Sequence, residues 1–366
     1  MKKFLVFCLI VLFMGGIVFA KDDSPKQVNS TSLKTTAFTA ALNAKISQDK
    51  NLLFCSTFQL AWDSLKKGII KNNVQLSGNP PLAQELNKSL IPQKDISPGS
   101  YLAMAGYKKG GIISKINKGL KVKFGKEAPV LKENELIHPD DVLAYAFLYK
   151  NLKFKKEFEG LTDPITFNDG KNSVKVKSFG IKKFEAGEKY KELVKQISIL
   201  HYKNNDEFII KLNSTSPKDE IILAKVAPQA TLGGTIESMD KLIKAECKNN
   251  VCAVIAMRDG DTLQIPKLDF DILHNYKELE GKGVLNKGFE GYFISKALQS
   301  IRFRLNEKGA LLKSEAKIVM TKSIMIGGQQ KNLIFDKPFL LCLKEKGAKY
   351  PYLAIWVDNA EILIRE

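Results

Sequence analysis

Histidine is scarce in this chain. There are three among 366 residues, His138, His201 and His274, and none stands in a His-Glu-x-x-His or comparable ligand spacing. There is also no G-x-S-x-G nucleophile elbow and no phosphate-cradling glycine motif. Gly281, Gly283 and Gly288 lack the spacing such a loop needs. Asp269 and Asp271 alternate with Phe270 and Ile272, which is the period of an exposed strand face. Enzyme chemistry thus has little to rest on, and no catalytic residue, metal or cofactor is expected.

Acidic residues are in deficit, 39 against 57 Lys and Arg, a formal charge of +18. That balance favours anionic partners or an anionic surface and says nothing about fold. The lysine-rich stretches near Lys118 to Lys126, Lys150 to Lys156 and Lys175 to Lys183 read first as solvated faces, and second as a polyanion site. Any polyanion binding should weaken steeply with salt, because lysine contacts release counterions. A specific nucleic-acid role is not expected. Hydrophobic residues make up 44%, enough for a substantial core in one large domain or two ordinary ones.

The N-terminus is basic at Lys2 and Lys3, apolar from Phe4 to Met14, and ends on Gly15-Gly16-Ile17-Val18-Phe19-Ala20. This reads as a secretory signal peptide over residues 1–20. The apolar run is barely long enough to span a membrane, so no stable anchor is expected. Cys8 comes too early to be a lipoprotein cysteine. Cleavage removes two lysines and leaves +16 (18 minus 2). Export to the periplasm or beyond the cell follows. Residues 21–35 read as a polar leader tail, and residues 36–366 as a single domain.

Along that domain, Ala37, Ala40, Ala41 and Ala44 fall at helical spacing and predict a helix over 36–47. Residues 51–54 form a short apolar strand, and 60–70 a helix carrying Trp62 and Leu65. Val142 to Tyr149 is a continuous apolar run, as in a strand buried on both faces. Residues 165–176 read as a hairpin turning on Asn168-Asp169-Gly170. Phe208 to Leu212 and Glu220 to Val226 read as two further strands. Cys247 and Cys252 bracket a hairpin turn at Asn249-Asn250. Facing each other at a non-hydrogen-bonded pair, their Cα atoms would lie about 4.5 Å apart, within disulfide range. An exported chain meets an oxidising environment, so a Cys247–Cys252 disulfide is expected, against two free thiols on a surface hairpin.

The most informative stretch is at the C-terminal end. Residues 333–343 read apolar, any, apolar, Asp, basic, Pro, Phe, then an apolar run, carried by Leu333, Phe335, Asp336, Lys337, Pro338, Phe339, Leu340, Leu341 and Leu343. This resembles the C-terminal signature of the serpin family. Ile301 to Gly309 resembles the strand that leads into the family's reactive loop, with Glu307 and Gly309 matching and Lys308 replacing the second acid. The resemblance spans nearly the whole chain, strongly at its end and weakly in the middle. It implies an α+β fold with a large central mixed sheet A, a B-sheet core, surrounding helices and an exposed reactive loop at 309–334. By the same likeness, residues 101–110 are a strand ending in a basic turn, 113–124 the next helix, and 125–130 the strand after it. The family's helix across the front of the main sheet then has no counterpart between Val130 and Val142. An alternative register, starting that helix at Ile116-Asn117, keeps it.

The resemblance also implies function. A serpin inhibits a serine protease, or a cysteine protease, by offering its loop as bait and inserting the freed hinge into the main sheet. The implied hinge is Glu307, Gly309, Ala310, Leu312, Ser314 and Ala316, and the implied bait bond Lys322–Ser323, which suits a trypsin-like target outside the cytoplasm. A monomer is expected. Two departures count against inhibition, Ala146 where the family has Asn and Phe154 where it has Trp; Phe54-Cys55-Ser56, where the family has Phe-Ser-Pro, alters the polar shutter beneath the main sheet. Leu311, Leu312 and Lys313 also interrupt the usual run of small hinge residues, and Leu311, Leu312, Glu315, Ile318 and Val319 fit a helix equally well. The alternative is a non-inhibitory serpin-fold protein that binds an anionic partner.

Overall fold

The computed structural model describes residues 25–90, 95–184, 187–248, 251–252, 255–312 and 330–366. Its core forms where runs of Leu, Ile, Val and Phe make strands buried on both faces. Strands β19 (Phe339–Glu345) and β20 (Leu353–Val357) pair antiparallel, and nearly every residue in them is buried. They are the centre of a seven-stranded sheet in the order β2 (Thr36–Thr39), β3 (Asn51–Cys55), β20, β19, β11 (Asp219–Lys225), β10 (Glu207–Leu212) and β9 (Ile197–Asn204). A four-stranded sheet runs β18 (Asn332–Ile334), β14 (Thr262–Pro266), β8 (Ser173–Ile181) and β7 (Glu159–Asn168). A five-stranded sheet runs β1 (Val28–Asn29), β15 (Leu268–Asn275), β16 (Leu298–Asn306), β17 (Gly309–Leu312) and β6 (Lys150–Lys153). It is mixed, because β1 is parallel to β15 and the other pairs are antiparallel. The hairpin of β4 (Tyr101–Tyr107) and β5 (Val142–Leu148) lies beside it, with β5 leading into β6 through Tyr149. A two-stranded ladder, β12 (Cys247–Lys248) and β13 (Val251–Cys252), completes the strands. The α-helices among the described residues are α1 (Thr57–Ser64), α2 (Pro81–Asn87), α3 (Ile112–Phe124), α4 (Glu188–Val194) and α5 (Leu232–Ala245).

The β4–β5 register sorts side chains by face. Leu102 faces Phe147 and Met104 faces Tyr145 on one side, while Ala103 faces Ala146 on the other. The large side chains pack under Ile112, Ile113, Ile116 and Leu120, the apolar stripe of α3. Gly119 lets α3 approach closely, since a Cβ there would sit 3.1 Å from the Leu102 side chain. The small side chains turn toward α1 and the main core. Residues 142–149 are therefore covered by helices on both faces, as the apolar run predicts. Yet Val142 to Phe147 are half-exposed, because β5 has no ladder partner on its second edge among the described residues.

Several expectations need correction. The alanine spacing at 36–47 does not make a helix. Residues 36–39 form β2, parallel to β3, and Asn51 Nδ2 donates to Thr36 Oγ1 at 3.1 Å. Alanine marks an apolar stripe weakly, and tertiary strand pairing overrides it. Residues 125–130 do not form a strand either. They make a 3-10 turn at Gly125–Glu127 and then run irregularly. Pro129 has no N–H to give a ladder, and the backbone of Leu131 is satisfied by Asn117 instead: Leu131 N–H donates to Asn117 Oδ1 and Asn117 Nδ2 donates to the Leu131 carbonyl, both at 2.9 Å. No α-helix lies between Val130 and Val142, where there is a single 3-10 turn at Glu133–Glu135. The face of the hairpin is nonetheless covered by a multi-turn helix, α3, so the register that placed α3 before an edge strand is wrong and the alternative one describes it better. The polar leader is not free throughout: Val28 and Asn29 pair with β15, and Gln27 donates to Asp271 at 2.8 Å.

Candidate functional site

The implied hinge begins on β16. Its alternation buries Gln299, Ile301, Phe303 and Leu305 and turns Arg302 and Arg304 outward, where both pair with Asp269. The chain reverses at residues 306–309. Lys308 N–H donates to Asn306 Oδ1 at 3.0 Å, Phe158 N–H donates to the Glu307 carbonyl at 2.9 Å, and Phe154 N–H donates to the Lys308 carbonyl at 3.0 Å. Gly309 follows at φ +134°, and a Cβ there would lie 2.2 Å from the Leu152 carbonyl oxygen. Only glycine tolerates that conformation and that contact.

Past Gly309 the chain enters the sheet. β17 lies between β16 and β6, with Ala310 opposite Leu305 on one side and Leu152 on the other. Ala310 is buried and Leu311 is half-exposed, in the inward and outward order read from the sequence. Leu312 pairs with Lys150, the first residue of β6, two residues after the end of β5. Ser314, Ala316, Lys322 and Ser323 lie outside the described residues.

Two ion-pair sites fix this region: Glu307 is a residue of the implied hinge, but neither its pairing nor that of Lys150 is legible in the sequence. Glu307 pairs with Lys267 at 2.6 Å, joining the turn to the start of β15. Burial pushes the Glu307 carboxyl up, but the Lys267 hydrogen bond and nearby positive charge outweigh it and hold it below the ordinary value. Lys150 belongs to a stretch read as a solvated face, yet its side chain is 2% exposed. Its ammonium lies 2.6 Å from both Asp219 Oδ1 and Glu345 Oε1, and 5.0 Å from the Tyr352 ring centre. It ties β6, the outer wall of the hinge slot, to β11 and β19 in the core. Lys150 is followed at once by genuinely exposed lysines, and its carboxylate partners lie 69 and 195 residues away, so no local pattern marks it.

The C-terminal signature works as a plug with a polar collar. Phe335 and Phe339 are fully buried, 5.2 Å apart, and Phe335 also meets Phe208 edge-on at 4.9 Å. Asp336 accepts from the buried Lys225 at 2.6 Å, and Lys337 pairs with Asp206 at 2.9 Å. Lys225 also donates to the Ile334 carbonyl at 3.1 Å, so the motif's polar residues hold its apolar ones in register. Pro338 separates β18 from β19, where a ladder N–H is not needed.

Beneath the main sheet, where Cys55 departs from the family's pattern, Gln299 makes the polar contacts. Gln299 Nε2 donates to the Cys55 carbonyl at 2.9 Å and to Thr57 Oγ1 at 2.7 Å, and Tyr276 donates to Gln299 Oε1 at 2.7 Å. Burial raises the Cys55 thiol, which packs as a small apolar group. His274 and His201 are strand residues as expected. Burial lowers His274 to about 4, so it is neutral, and it stacks on Phe38 at 4.8 Å. His201 Nδ1 lies 2.7 Å from Glu246. Among the described residues no cluster of His, Cys, Asp or Glu could hold a metal, and no helix is long and apolar enough to cross a membrane.

Cys247 stands opposite Cys252 in the β12–β13 ladder, and the Cys247 sulfur is disulfide-bonded. Cys55 and Cys342 are free and buried. We propose Cys252 as the partner. Alkylation of exported, unfolded protein without reductant should label Cys55 and Cys342 and spare Cys247 and Cys252. Because the bridge closes a short loop, replacing both cysteines with serine should lower stability by about 2 kcal/mol. Full labelling of Cys247 and Cys252 before reduction would refute the bridge.

No family model and no curated protein matches this chain. Among solved structures it is similar to maspin, at 13% identity over 83% of this chain and 91% of maspin, with a TM-score of 0.51. It is similar to thyroxine-binding globulin in complex with thyroxine, at 12% identity over 85% and 93% of the two chains and a TM-score of 0.47. It is also similar to Serpin48 of the insect Tenebrio molitor, a highly specific serpin, at 13% identity over 84% and 92% and a TM-score of 0.44. At this identity the likeness to maspin speaks for architecture alone, and the architecture of this α+β chain is that of a serpin.

Proposed function

We propose that this chain is an exported inhibitor of a trypsin-like protease whose bait loop is the chain between β17 and β18, shorter than the 309–334 read from the sequence because residues 309–312 and 332–334 are strands. The observation that carries the reading is the hinge strand: β17 already occupies the place between β16 and β6, and it ends opposite Lys150, two residues after β5. In this mechanism the target's serine attacks the Lys322 carbonyl carbon. The Lys322–Ser323 bond breaks, the Ser323 amine leaves with a proton, and an ester joins Lys322 to the enzyme. The segment before Lys322 then extends β17 along β5 and carries the ester-bound protease with it. If the segment inserts as a strand, alternation would turn Ala310, Leu312, Ser314 and Ala316 to one face, which suits insertion. Leu312 adds bulk where the sheet must open, and overpacking there costs about 1–3 kcal/mol, which slows insertion.

The test is incubation with trypsin-like and chymotrypsin-like proteases. A trypsin-like enzyme should cleave after Lys322 and leave a complex that survives denaturing electrophoresis, and the nicked protein should melt higher than the intact one. Clean cleavage with no complex and no gain in thermal stability would remove the inhibitory reading. It would favour a serpin-fold protein that binds an anionic partner through its excess of lysine, and salt-sensitive retention on heparin resin would then be the next measurement.

A further inference from the structure

Helix α3 and the strap that returns beside it carry a surface that the hinge does not use. The outward side of α3 holds Lys115, Lys118 and Lys121, spaced by three, with Val122 beside them. Like charges at that spacing oppose helix formation, and these three lysines have no ion pair or side-chain hydrogen bond with any described residue. The strap is clamped along the helix where Asn117 holds Leu131, and Lys108 Nζ holds the carbonyls of Leu136 and Ile137 at 2.8 Å. It adds Lys126 and Lys132, both exposed. It also adds Val130 and Ile137. With Val122 these are the three most exposed large apolar side chains among the described residues, at 79%, 76% and 78%.

We propose that this face docks on an anionic lipid surface. The lysines would meet headgroup phosphates, while Val122, Val130 and Ile137 enter the boundary between headgroups and acyl chains. A soluble polyanion would need the lysines and leave the three apolar side chains unexplained. Glu133 and Glu135 lie on the strap between them and oppose the attraction, so the association is reversible and depends on lipid charge. The proposal rests on neither reading of the reactive loop.

The probe is vesicle co-sedimentation of the exported full chain, with phosphatidylglycerol mixed into phosphatidylcholine or with phosphatidylcholine alone. Wild type should bind the anionic vesicles and be released by salt. Replacing Lys115, Lys118 and Lys121 with alanine should weaken binding about fivefold per lysine, on the order of a hundredfold in all. The corresponding triple arginine variant should retain it. Replacing Val122, Val130 and Ile137 with serine should weaken it by about tenfold or more. All these side chains point outward, and unchanged melting temperatures would show that the variants fold. Wild type that ignores anionic vesicles, or alanine variants that bind as well as wild type, would overturn the proposal. So would loss of binding in the alanine variant with none in the serine variant, together with retention of wild type on heparin resin, because that pattern belongs to a polyanion site.

Discussion

Lys150→Ala should destabilise the protein by about 3–5 kcal/mol, the usual consequence of removing one member of a buried ion-pair group. The ammonium is the shared partner of Asp219 and Glu345, each at 2.6 Å, and alanine would leave two largely buried carboxylates facing one another. For a chain of this length the melting temperature should fall by roughly 4–7 °C. The pH dependence separates this cause from simple loss of packing. Burial pushes the Glu345 carboxyl up, but hydrogen bonds from Lys150 and from the Ser97 N–H and hydroxyl hold it below its ordinary 4.5. A carboxyl depressed in the folded state stabilises fully above that ordinary value, and the contribution is lost as pH falls through the folded one. Wild type should therefore lose stability below pH 4.5, while the variant, lacking the lysine that depresses Glu345, should lose less. The gap between the two should narrow in acid. A gap that stays constant from pH 7 down to about pH 2, below the range in which a depressed carboxyl titrates, would assign the loss to packing alone.

Gly309→Val should expel β17 from the sheet. The added Cβ would stand 2.2 Å from the Leu152 carbonyl oxygen and 2.8 Å from the Lys153 Cα, and both are backbone atoms inside a ladder that cannot yield. The φ of +134° is also closed to a β-branched residue. Holding the residue in place would cost about 3 kcal/mol or more, so releasing the short strand is the easier outcome. Amide exchange in residues 150–153 and 304–306 should then accelerate by at least about a hundredfold, and proteases should cut between 309 and 312. If β17 seeds insertion, the same variant should form little stable protease complex while its bait bond is still cleaved. Unchanged exchange in both neighbouring strands would show that β17 does not depend on Gly309.

What the sequence discloses depends on how local the physics is. The 333–343 motif is legible because its apolar plug and polar collar are contiguous, and the structure seats Phe335 and Phe339 in the core and Asp336 on Lys225. The strand at 142–148 is legible because a run of apolar residues with helices on both sides has little choice of conformation. The alanines at 36–47 mislead because their helical spacing competes with β3, a pairing invisible to any local window. Lys150 and Gln299 are illegible for the same reason: each is defined by partners far along the chain. The position of α3 was open between two registers, and side-chain packing against Leu102 and Phe147, rather than propensity, selects one.

The Asn117 clamp has a dynamic consequence. It joins α3 to the strap on either side of Leu131, and the apolar cluster beneath them, from Ile112 to Leu136, is separate from the large central one. A segment that packs on the β4–β5 pair and not on the central core can open without melting that core, as a cooperative unit with its own free energy. Residues 112–136 should therefore exchange their amide hydrogens together, well ahead of β19 and β20. In that case they would act as a hatch over β4 and β5, lifting in one piece.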